Sequence, residues 1–205
     1  MIRKPMFSEF KECLKLLYMS GPNMFSYFLI KQPPEIYDCL NIFYCKEDVL
    51  FSYNNVLVKV EDDRVCGLLL SVPAKEVHML EKNMNKYGKD LLITIGFINI
   101  IKMLSRMKIQ KFMSNLYDKD EYYISNLAVH ENYRGQGIGI ELLAKAEEIA
   151  KINGYKKLSL LVELDNSNAQ RIYEKYGFKK TKTISLPKNY YKYCINGFHK
   201  MIKEI

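Results

Sequence analysis

The order of apolar and polar positions divides the chain into an early helical part, a central hairpin and a later part in which strands and helices alternate. Apolar residues recur at helical spacing over residues 7–19, and Gly21-Pro22 separates that helix from a second one over residues 23–30. Residues 56–60 and 65–72 are apolar and β-branched, and the polar link between them predicts an antiparallel hairpin.

The second half of the chain is predicted to alternate between helices and strands. Residues 75–116 are mainly helical by spacing, although the apolar run 91–97 fits a strand equally well. A strand is predicted over residues 122–129, and the segment that begins at Ile138 carries one apolar helical face. Residues 158–164 are apolar on both alternating faces, which is typical of a strand inside a largely parallel sheet. This strand-helix-strand order predicts a right-handed crossover.

The C-terminal part adds one more helix and two strands. A helix over about residues 167–176 follows Asp165-Asn166 and ends at Gly177. The last two strands, near residues 178–186 and 193–203, are expected to be antiparallel. The pattern as a whole predicts an α/β sheet with a mixed edge.

The composition is that of an ordinary globular protein, for which one domain is the default. The 205 residues are 48% apolar and 26% charged, with a net charge of +8 that would suit nucleic acid, an anionic membrane or an anionic small ligand. The lysines are dispersed among 23 acids, which favours a solvated surface over a nucleic-acid face. The longest apolar run, residues 91–101, is roughly half of the ~20 residues that a membrane span needs. We therefore expect a soluble protein with no nucleic-acid and no membrane partner.

The cysteines and histidines indicate neither a disulfide framework nor a metal site. Five cysteines are an odd number and contain no Cys-x-x-Cys spacing, and the three histidines lie far apart in the sequence. A reduced, cytoplasmic protein without a bound metal is the expectation.

The glycine-rich stretch "VHENYRGQGIGI" begins at Val129 and leads into the predicted helix at Ile138. A glycine-rich turn at a helix N-terminus presents unpaired N–H groups and the positive end of the helix dipole, and it lets a diphosphate approach without Cβ clashes. The alternative is a tight turn that allows the helix to pack closely on the strand. Two other phosphate loops are excluded, because Gly139 is not followed by Lys-Ser/Thr and because Ile140 stands where the dinucleotide fingerprint needs a glycine.

Two segments together resemble the central motifs of the GCN5-related N-acetyltransferase (GNAT) family. "ISNLAVHENYRGQGIGIELL" matches the pattern Arg/Gln-x-x-Gly-x-Gly at Arg134, Gly137 and Gly139. "NSNAQRIYEKYGF" matches the second pattern at Asn166, Ala169, Tyr173, Gly177 and Phe178. The resemblance covers about residues 121–186.

The resemblance implies a mixed, mostly antiparallel sheet with a central splayed parallel strand pair flanked by helices. Residues 1–72 can be laid on the family's first strand, two helices and hairpin, and residues 74–118 form an extra, mostly helical insertion relative to the minimal family fold. We expect one acetyltransferase domain over residues 1–205, as a monomer or homodimer.

The resemblance also implies that acetyl-CoA is the donor substrate. The N–H groups of the glycine loop would meet its pyrophosphate and Arg134 would add charge-assisted bonds. The central strand would offer backbone hydrogen bonds to the pantetheine arm, and one N–H there would stabilise an oxyanion. The expected binding residues are Leu127, Ala128, Val129, Arg134, Gly135, Gln136, Gly137, Ile138, Gly139 and Asn166.

The catalytic acid that the resemblance implies is Tyr173. A departing thiolate of pKa roughly 8.5 to 10 is best matched by a phenol of similar pKa, although Tyr173 on its apolar helical stripe also fits a core residue. Asn166 is either a helix N-cap, a pantetheine contact or both. The general base is unassigned, because several relatives carry a Glu where this chain has Tyr123, and Asp120 and Glu121 lie just outside.

The favoured function is acetyl transfer from acetyl-CoA to a primary amine of a small molecule, peptide or protein. A non-catalytic acyl-CoA sensor on the same fold is the alternative from a different class. The expected acceptor site comprises residues 18–31, the insertion and residues 187–193, which are rich in Tyr, Phe and Met and suit a partly apolar acceptor.

Overall fold

A computed structural model of the protein describes residues 1–109 and 116–205, in which the strands form one seven-stranded sheet. The strands are β1 (Ile2–Arg3), β2 (Val56–Glu61), β3 (Arg64–Pro73), β4 (Glu121–Val129), β5 (Lys157–Glu163), β6 (Lys179–Ser185) and β7 (Gly197–Glu204). Their order across the sheet is β1-β2-β3-β4-β5-β7-β6. The sheet includes β1 and β7, so strands from the first and last residues of the chain belong to the same sheet.

Helices cover both faces of this sheet. They are α1 (Phe10–Met19), α2 (Pro22–Leu29), α3 (Glu35–Tyr44), α4 (Ala74–Asn83), α5 (Gly88–Ile95), α6 (Phe97–Arg106), α7 (Ile138–Ile152) and α8 (Ser167–Tyr176). Side chains of α1, α3, α4 and α5 share one hydrophobic core with β2 and β3, whereas α7 and α8 pack into a second core on the opposite face. No helix among the described residues is both long and apolar enough to cross a membrane.

The sheet is mixed and mostly antiparallel. Strands β4 and β5 pair in parallel, and the other strand pairs of the sheet are antiparallel. The interpretation of residues 158–164 as part of a largely parallel sheet was therefore wrong, because β7 runs antiparallel on the other side of β5. Strand β5 is apolar on both sides because helices cover both faces of the sheet. The predicted fold class, including the crossover β4–α7–β5, is confirmed.

The central parallel pair separates along its length. Pairing between β4 and β5 ends at Ile124 opposite Leu160. Beyond that point β4 continues to pair with β3, with a register shift that leaves Ser125 without a partner because Ile124 faces Ser71 and Asn126 faces Leu70. An extra residue of this kind bends a strand. The bend opens a cleft between the ends of β4 and β5, as the family resemblance implied.

Three local predictions differ from the structure. Helix α3 was not predicted, although Ile36, Leu40 and Phe43 are buried at helical spacing. The ambiguous run 91–97 is helical rather than a strand: α5 ends at Ile95, Gly96 follows with a φ of 82°, and Phe97 begins α6. The last strand begins only at Gly197, because residues 188–193 form a 3-10 helix. Within the predicted helical stretch 75–116, residues 110–115 lie outside the described part of the chain.

Candidate functional site

A cavity of about 970 Å³ begins in the cleft between β4 and β5 and continues beneath the helices that precede β4. Most of the residues predicted from the sequence lie on its wall. They are Leu127, Ala128, Val129, Arg134, Gly135, Gly137, Ile138, Gly139, Asn166 and Tyr173. Gln136 does not line the cavity, and its side chain instead donates to the carbonyl of Asn132 over 3.4 Å. The fold thus brings both sequence motifs to one cavity.

The glycines of the loop are explained by backbone conformation rather than by close packing. Gly135 and Gly137 have φ values of 80° and 85°, in the left-handed region that glycine favours. A Cβ atom at either position would meet no heavy atom within 4 Å, so neither glycine is needed to bring two elements together. A Cβ at Gly139 would make only an ordinary contact, 3.9 Å from Cγ2 of Val129. The loop therefore leaves open space beside its backbone.

This open loop ends at the N-terminus of α7. The N–H groups of Ile140 and Glu141 donate to the carbonyl of Gly137, over 2.9 and 3.1 Å. The amides of Ile138 and Gly139 precede them in the first turn, where a helix provides no acceptor for its N–H groups. Together with the helix dipole, these amides form a site that attracts anions. Arg134 is exposed at the same loop and donates through Nε to the carbonyl of Val129 over 3.3 Å.

Close contact between α7 and the sheet depends on Gly67, which the sequence analysis did not single out. A Cβ atom there would lie 2.9 Å from Cγ2 of Ile138 and 3.0 Å from Cδ1 of Leu142. Gly67 therefore lets the first turn of α7 lie directly on β3. The signal in the sequence is a lone glycine inside a β-branched, apolar strand, which marks a close approach of another element.

Tyr173 and Asn166 lie on the cavity wall on α8 and at its N-terminus. The Tyr173 ring packs edge-on against Phe178 with centroids 5.9 Å apart, so the residue belongs partly to the core. Burial raises the pKa of the Tyr173 phenol to about 12. Asn166 caps the helix, because its Oδ1 accepts the N–H of Ala169 over 3.1 Å. This bond uses the amide oxygen and leaves the Asn166 amino group for another partner.

A second group of titratable side chains lines the same cavity. Tyr123, which stands where several relatives carry a Glu, has its ring 4.8 Å from that of Tyr117. Burial raises the pKa of Tyr123, and the charges of Glu81 and Tyr173 raise it further. Tyr117, Tyr123, Glu81 and Tyr173 all line the cavity. Glu81 itself lies on α4, and burial raises the pKa of its carboxyl to about 7.

Glu81 was missed because the sequence analysis placed the insertion in the expected acceptor site as a whole and singled out none of its residues. The spacing does contain a signal: Ala74 and Val77 are buried, and position 81 follows at the next turn of the same helical face. An acidic residue on the buried face of an amphipathic helix is a candidate site residue.

Glu81→Gln is expected to stabilise the protein at alkaline pH. Because the folded-state pKa of Glu81 is about 7 and its ordinary value is 4.5, the folded state binds more protons between these values, and the free energy of unfolding falls as pH rises through them. Above pH 7 the free energy of unfolding of the variant should exceed that of the parent by on the order of 2 kcal/mol. Near pH 4.5 the two free energies should be equal. Denaturant unfolding from pH 5 to 8 measures this, with Glu76→Gln on the same helix as control. A pH-independent difference between Glu81→Gln and the parent would contradict the assignment.

Among the described residues, no group of three or more His, Cys, Asp or Glu side chains is arranged to hold a metal ion. The charged side chains that line the cavity, among the residues that the structure describes, are those of Glu81, Glu163, Arg134 and Lys175.

Comparison with curated proteins finds relatives named as acetyltransferases, several of them N-acetyltransferases. One is N-alpha-acetyltransferase 30 of Schizosaccharomyces pombe, 36% identical over 75 residues, which cover 37% of this chain and 46% of that protein. The first curated relatives are matched over only 21% to 46% of their own length.

Solved structures share the whole fold. An N-acetyltransferase from Staphylococcus aureus Mu50 matches with a TM-score of 0.66 at 24% identity, over 98% of this chain and 99% of that one. A GNAT family acetyltransferase from Elizabethkingia anophelis with acetyl-CoA bound matches with a TM-score of 0.54 at 16% identity, over 100% of this chain and 97% of that one. These likenesses establish the fold.

The family assignment rests on a family model whose match spans both sequence motifs and the strands around the cavity. The model of the acetyltransferase (GNAT) family matches residues 55–178, from the hairpin to the end of the second motif. This is more than half of the chain, and it includes the glycine loop, Asn166 and Tyr173. The chain therefore belongs to the GNAT acetyltransferase family.

Proposed function

We propose that this protein is an acetyl-CoA-dependent N-acetyltransferase that passes the acetyl group directly to a primary amine of a small molecule, peptide or protein. The observation that carries the proposal is one continuous cavity with an anion-attracting helix N-terminus at one end and the Tyr173 phenol further in. The names of the relatives support nitrogen as the acceptor atom, and the acetyl-CoA in the Elizabethkingia structure supports the donor.

The residues at the loop fit the diphosphate of acetyl-CoA. The backbone of Gly135 and Gly137 borders open space, the amides of Ile138 and Gly139 are in the unpaired first turn, and Arg134 supplies a positive charge at the surface. Leu127, Ala128 and Val129 would bind the pantetheine arm, because the β5 side of their strand is no longer paired beyond Ile124. The Asn166 amino group is a further donor on that wall.

In the proposed reaction a neutral amine attacks the thioester carbonyl, a C–N bond forms and the C–S bond breaks. A backbone N–H of the Leu127–Val129 segment would hold the oxygen that gains negative charge. Tyr173 would give its phenolic proton to the departing thiolate and recover one from the amine nitrogen. A phenol with a pKa of about 12 is protonated at neutral pH but is a weaker acid than the thiol. The cationic nitrogen that forms beside it would lower this pKa during the reaction.

A non-catalytic acyl-CoA sensor remains the second candidate, and the cavity beyond Tyr173 argues against it. A sensor needs a site for the thioester only, whereas here the cavity continues past Tyr173 and Tyr123 to α4 and α6. Acetyl transfer requires space for an acceptor on that side.

We also propose that residues 1–205 work as one domain, since β1 and β7 from the two ends of the chain belong to one sheet. All five cysteines are free thiols, which fits a reducing compartment such as the cytoplasm. A monomer or a homodimer is the proposed oligomeric state.

Acetyl-CoA is expected to raise the melting temperature, whereas NAD and ATP should not. A ligand that binds only the folded state at a hundredfold excess over its Kd stabilises by about 2.7 kcal/mol, or about 5 to 10 °C for a chain of this size. Thermal unfolding with each nucleotide measures binding, and release of free CoA over a panel of amines measures transfer. No melting shift at millimolar acetyl-CoA would remove the donor assignment, and binding without transfer to any amine would favour the sensor.

A further inference from the structure

The inner part of the cavity lies between the insertion helices and α2. We call this part the distal chamber and define it by Met24, Phe28, Met84, Met103, Leu104 and Met107, which all line the cavity. Four elements around it belong to the helical insertion: α4, α6 and the 3-10 turns Met84–Tyr87 and Met107–Ile109 that follow them. Methionine side chains are flexible and polarizable, so they adapt to apolar groups of different shape. The chamber is thus built for an apolar occupant.

The chamber is closed on the side where α2 meets the segment before β7. The Tyr27 ring lies 6.0 Å from that of Tyr190 and 4.9 Å from that of Tyr193. Arg106 of α6 stacks over Tyr27 and Tyr193 at 4.9 and 4.8 Å and donates to the carbonyl of Tyr27. Asn23 adds a hydrogen bond of 3.2 Å to the carbonyl of Cys194. These contacts join α2, α6 and the segment before β7, which favours a small acceptor over an extended polypeptide at this side.

One carboxylate stands beside this apolar chamber on α4, namely Glu81. Glu81 is half-buried, so its charged form is only partly hydrated, and a bound cation would offset the cost. Tyr117 and Tyr123 line the same cavity, with their rings 4.8 Å apart. Phenol faces and hydroxyls are suitable neighbours for an ammonium group.

Glu81 shares its cavity with the proposed reacting end, because Tyr123 and Tyr173 line the cavity as well. Among the described residues, Glu163 is the other carboxylate that lines the cavity, and it lies at the end of β5. Burial raises the pKa of Glu163, and Asn23 and Asp165 also affect it. Of these two carboxylates, Glu81 is the one that the insertion supplies.

We propose that the distal chamber binds the apolar part of a small primary amine, of the arylalkylamine or alkylamine class, and that Glu81 receives its ammonium group and removes one proton from it. This acceptor assignment rests on the acetyltransferase function proposed above and names its substrate class. It also gives the insertion a role, since the insertion supplies both Glu81 and most of the chamber wall.

The protons balance with Glu81 as base. The ammonium gives one proton to the Glu81 carboxylate, and the neutral amine attacks the acetyl carbonyl. The nitrogen then loses a second proton as the amide forms, while the thiolate leaves with the proton that Tyr173 supplies. Tyr173 recovers its proton from the nitrogen, and Glu81 returns its proton to water, so each turnover releases one proton.

The test measures binding without chemistry. Isothermal titration of 2-phenylethylamine into the protein saturated with CoA, at pH 8, reports on the chamber because CoA carries no acetyl group to transfer. We expect binding by the parent protein, at least tenfold weaker binding by Glu81→Gln, and an affinity within twofold of the parent for Glu76→Gln. Ethanolamine, a primary amine without an apolar group, should bind at least tenfold more weakly than 2-phenylethylamine.

The steady-state kcat/KM for acetyl transfer then separates this proposal from the proposed function. We expect kcat/KM to be higher for 2-phenylethylamine than for ethanolamine or for a tetrapeptide with a free N-terminus. In Glu81→Gln, kcat/KM for 2-phenylethylamine should fall at least tenfold, and this loss should grow as pH rises above 7. Absence of 2-phenylethylamine binding, or equal binding by Glu81→Gln, overturns the proposal. If the tetrapeptide or ethanolamine is acetylated faster than 2-phenylethylamine, the proposed acceptor class is overturned and the acetyltransferase function stays intact. Glu81-dependent binding with no transfer to any amine upholds the chamber and removes the enzymatic function instead.

Discussion

Replacing Tyr173 by Phe is expected to slow single-turnover acetyl transfer by about 10²-fold to 10⁴-fold while the affinity for acetyl-CoA changes by less than about twofold. The substitution removes one hydroxyl and keeps the ring that packs against Phe178. The proton for the departing thiolate would then have to come from water. Single-turnover measurements are needed because product release would mask a chemical step that is not rate-limiting.

Tyr176→Phe provides a matched control on the same helix. The Tyr176 hydroxyl donates to Glu147 over 2.9 Å and the residue does not line the cavity. Glu147 keeps Lys151 and Lys203 as partners when that hydroxyl is removed. We expect Tyr176→Phe to transfer acetyl at the parent rate. A Tyr173→Phe rate within about twofold of the parent would assign Tyr173 to the core alone.

The sequence predicted the second half of the fold well because its signals are local. Helices α7 and α8 have clear apolar faces, glycine or asparagine stops and an Asn166 cap that the structure reproduces. The splay of β4 from β5 followed from the family resemblance. Its physical cause, the unpaired Ser125, depends on register against β3 and has no local signal.

The sequence predicted residues of the candidate site only where they belong to a sequence motif. The glycine loop, Asn166 and Tyr173 are sequence motifs, whereas Glu81 and Gly67 act through tertiary contacts with elements far along the chain. The helical face of α4 indicates that position 81 faces inward, but only the fold shows that this side borders the cavity that Tyr123 also lines. The sequence therefore placed the insertion in the expected acceptor site without indicating which of its side chains reach the cavity.

The choice between diphosphate binding and helix packing for the glycine loop leads to a test at Gly137. Its φ of 85° and the empty space around a Cβ atom mean that a side chain there would project into the open space beside the loop. An aspartate would bring a negative charge to the position proposed for the diphosphate. Like charges about 4 Å apart repel by roughly 4 kcal/mol at an effective dielectric constant of 20.

Gly137→Asp is therefore expected to weaken acetyl-CoA binding by at least about 100-fold, enough to abolish the melting shift, while the protein still folds. Gly137→Asn has the same shape without the charge and should lose less affinity, since asparagine and aspartate both tolerate the left-handed region. Gly154→Asp controls for backbone strain, because Gly154 has a φ of 78°, open space around a Cβ atom and a position after the other end of α7. Titration calorimetry with acetyl-CoA measures all three variants. Equal affinities for the parent and Gly137→Asp would mean that the diphosphate does not lie at this loop.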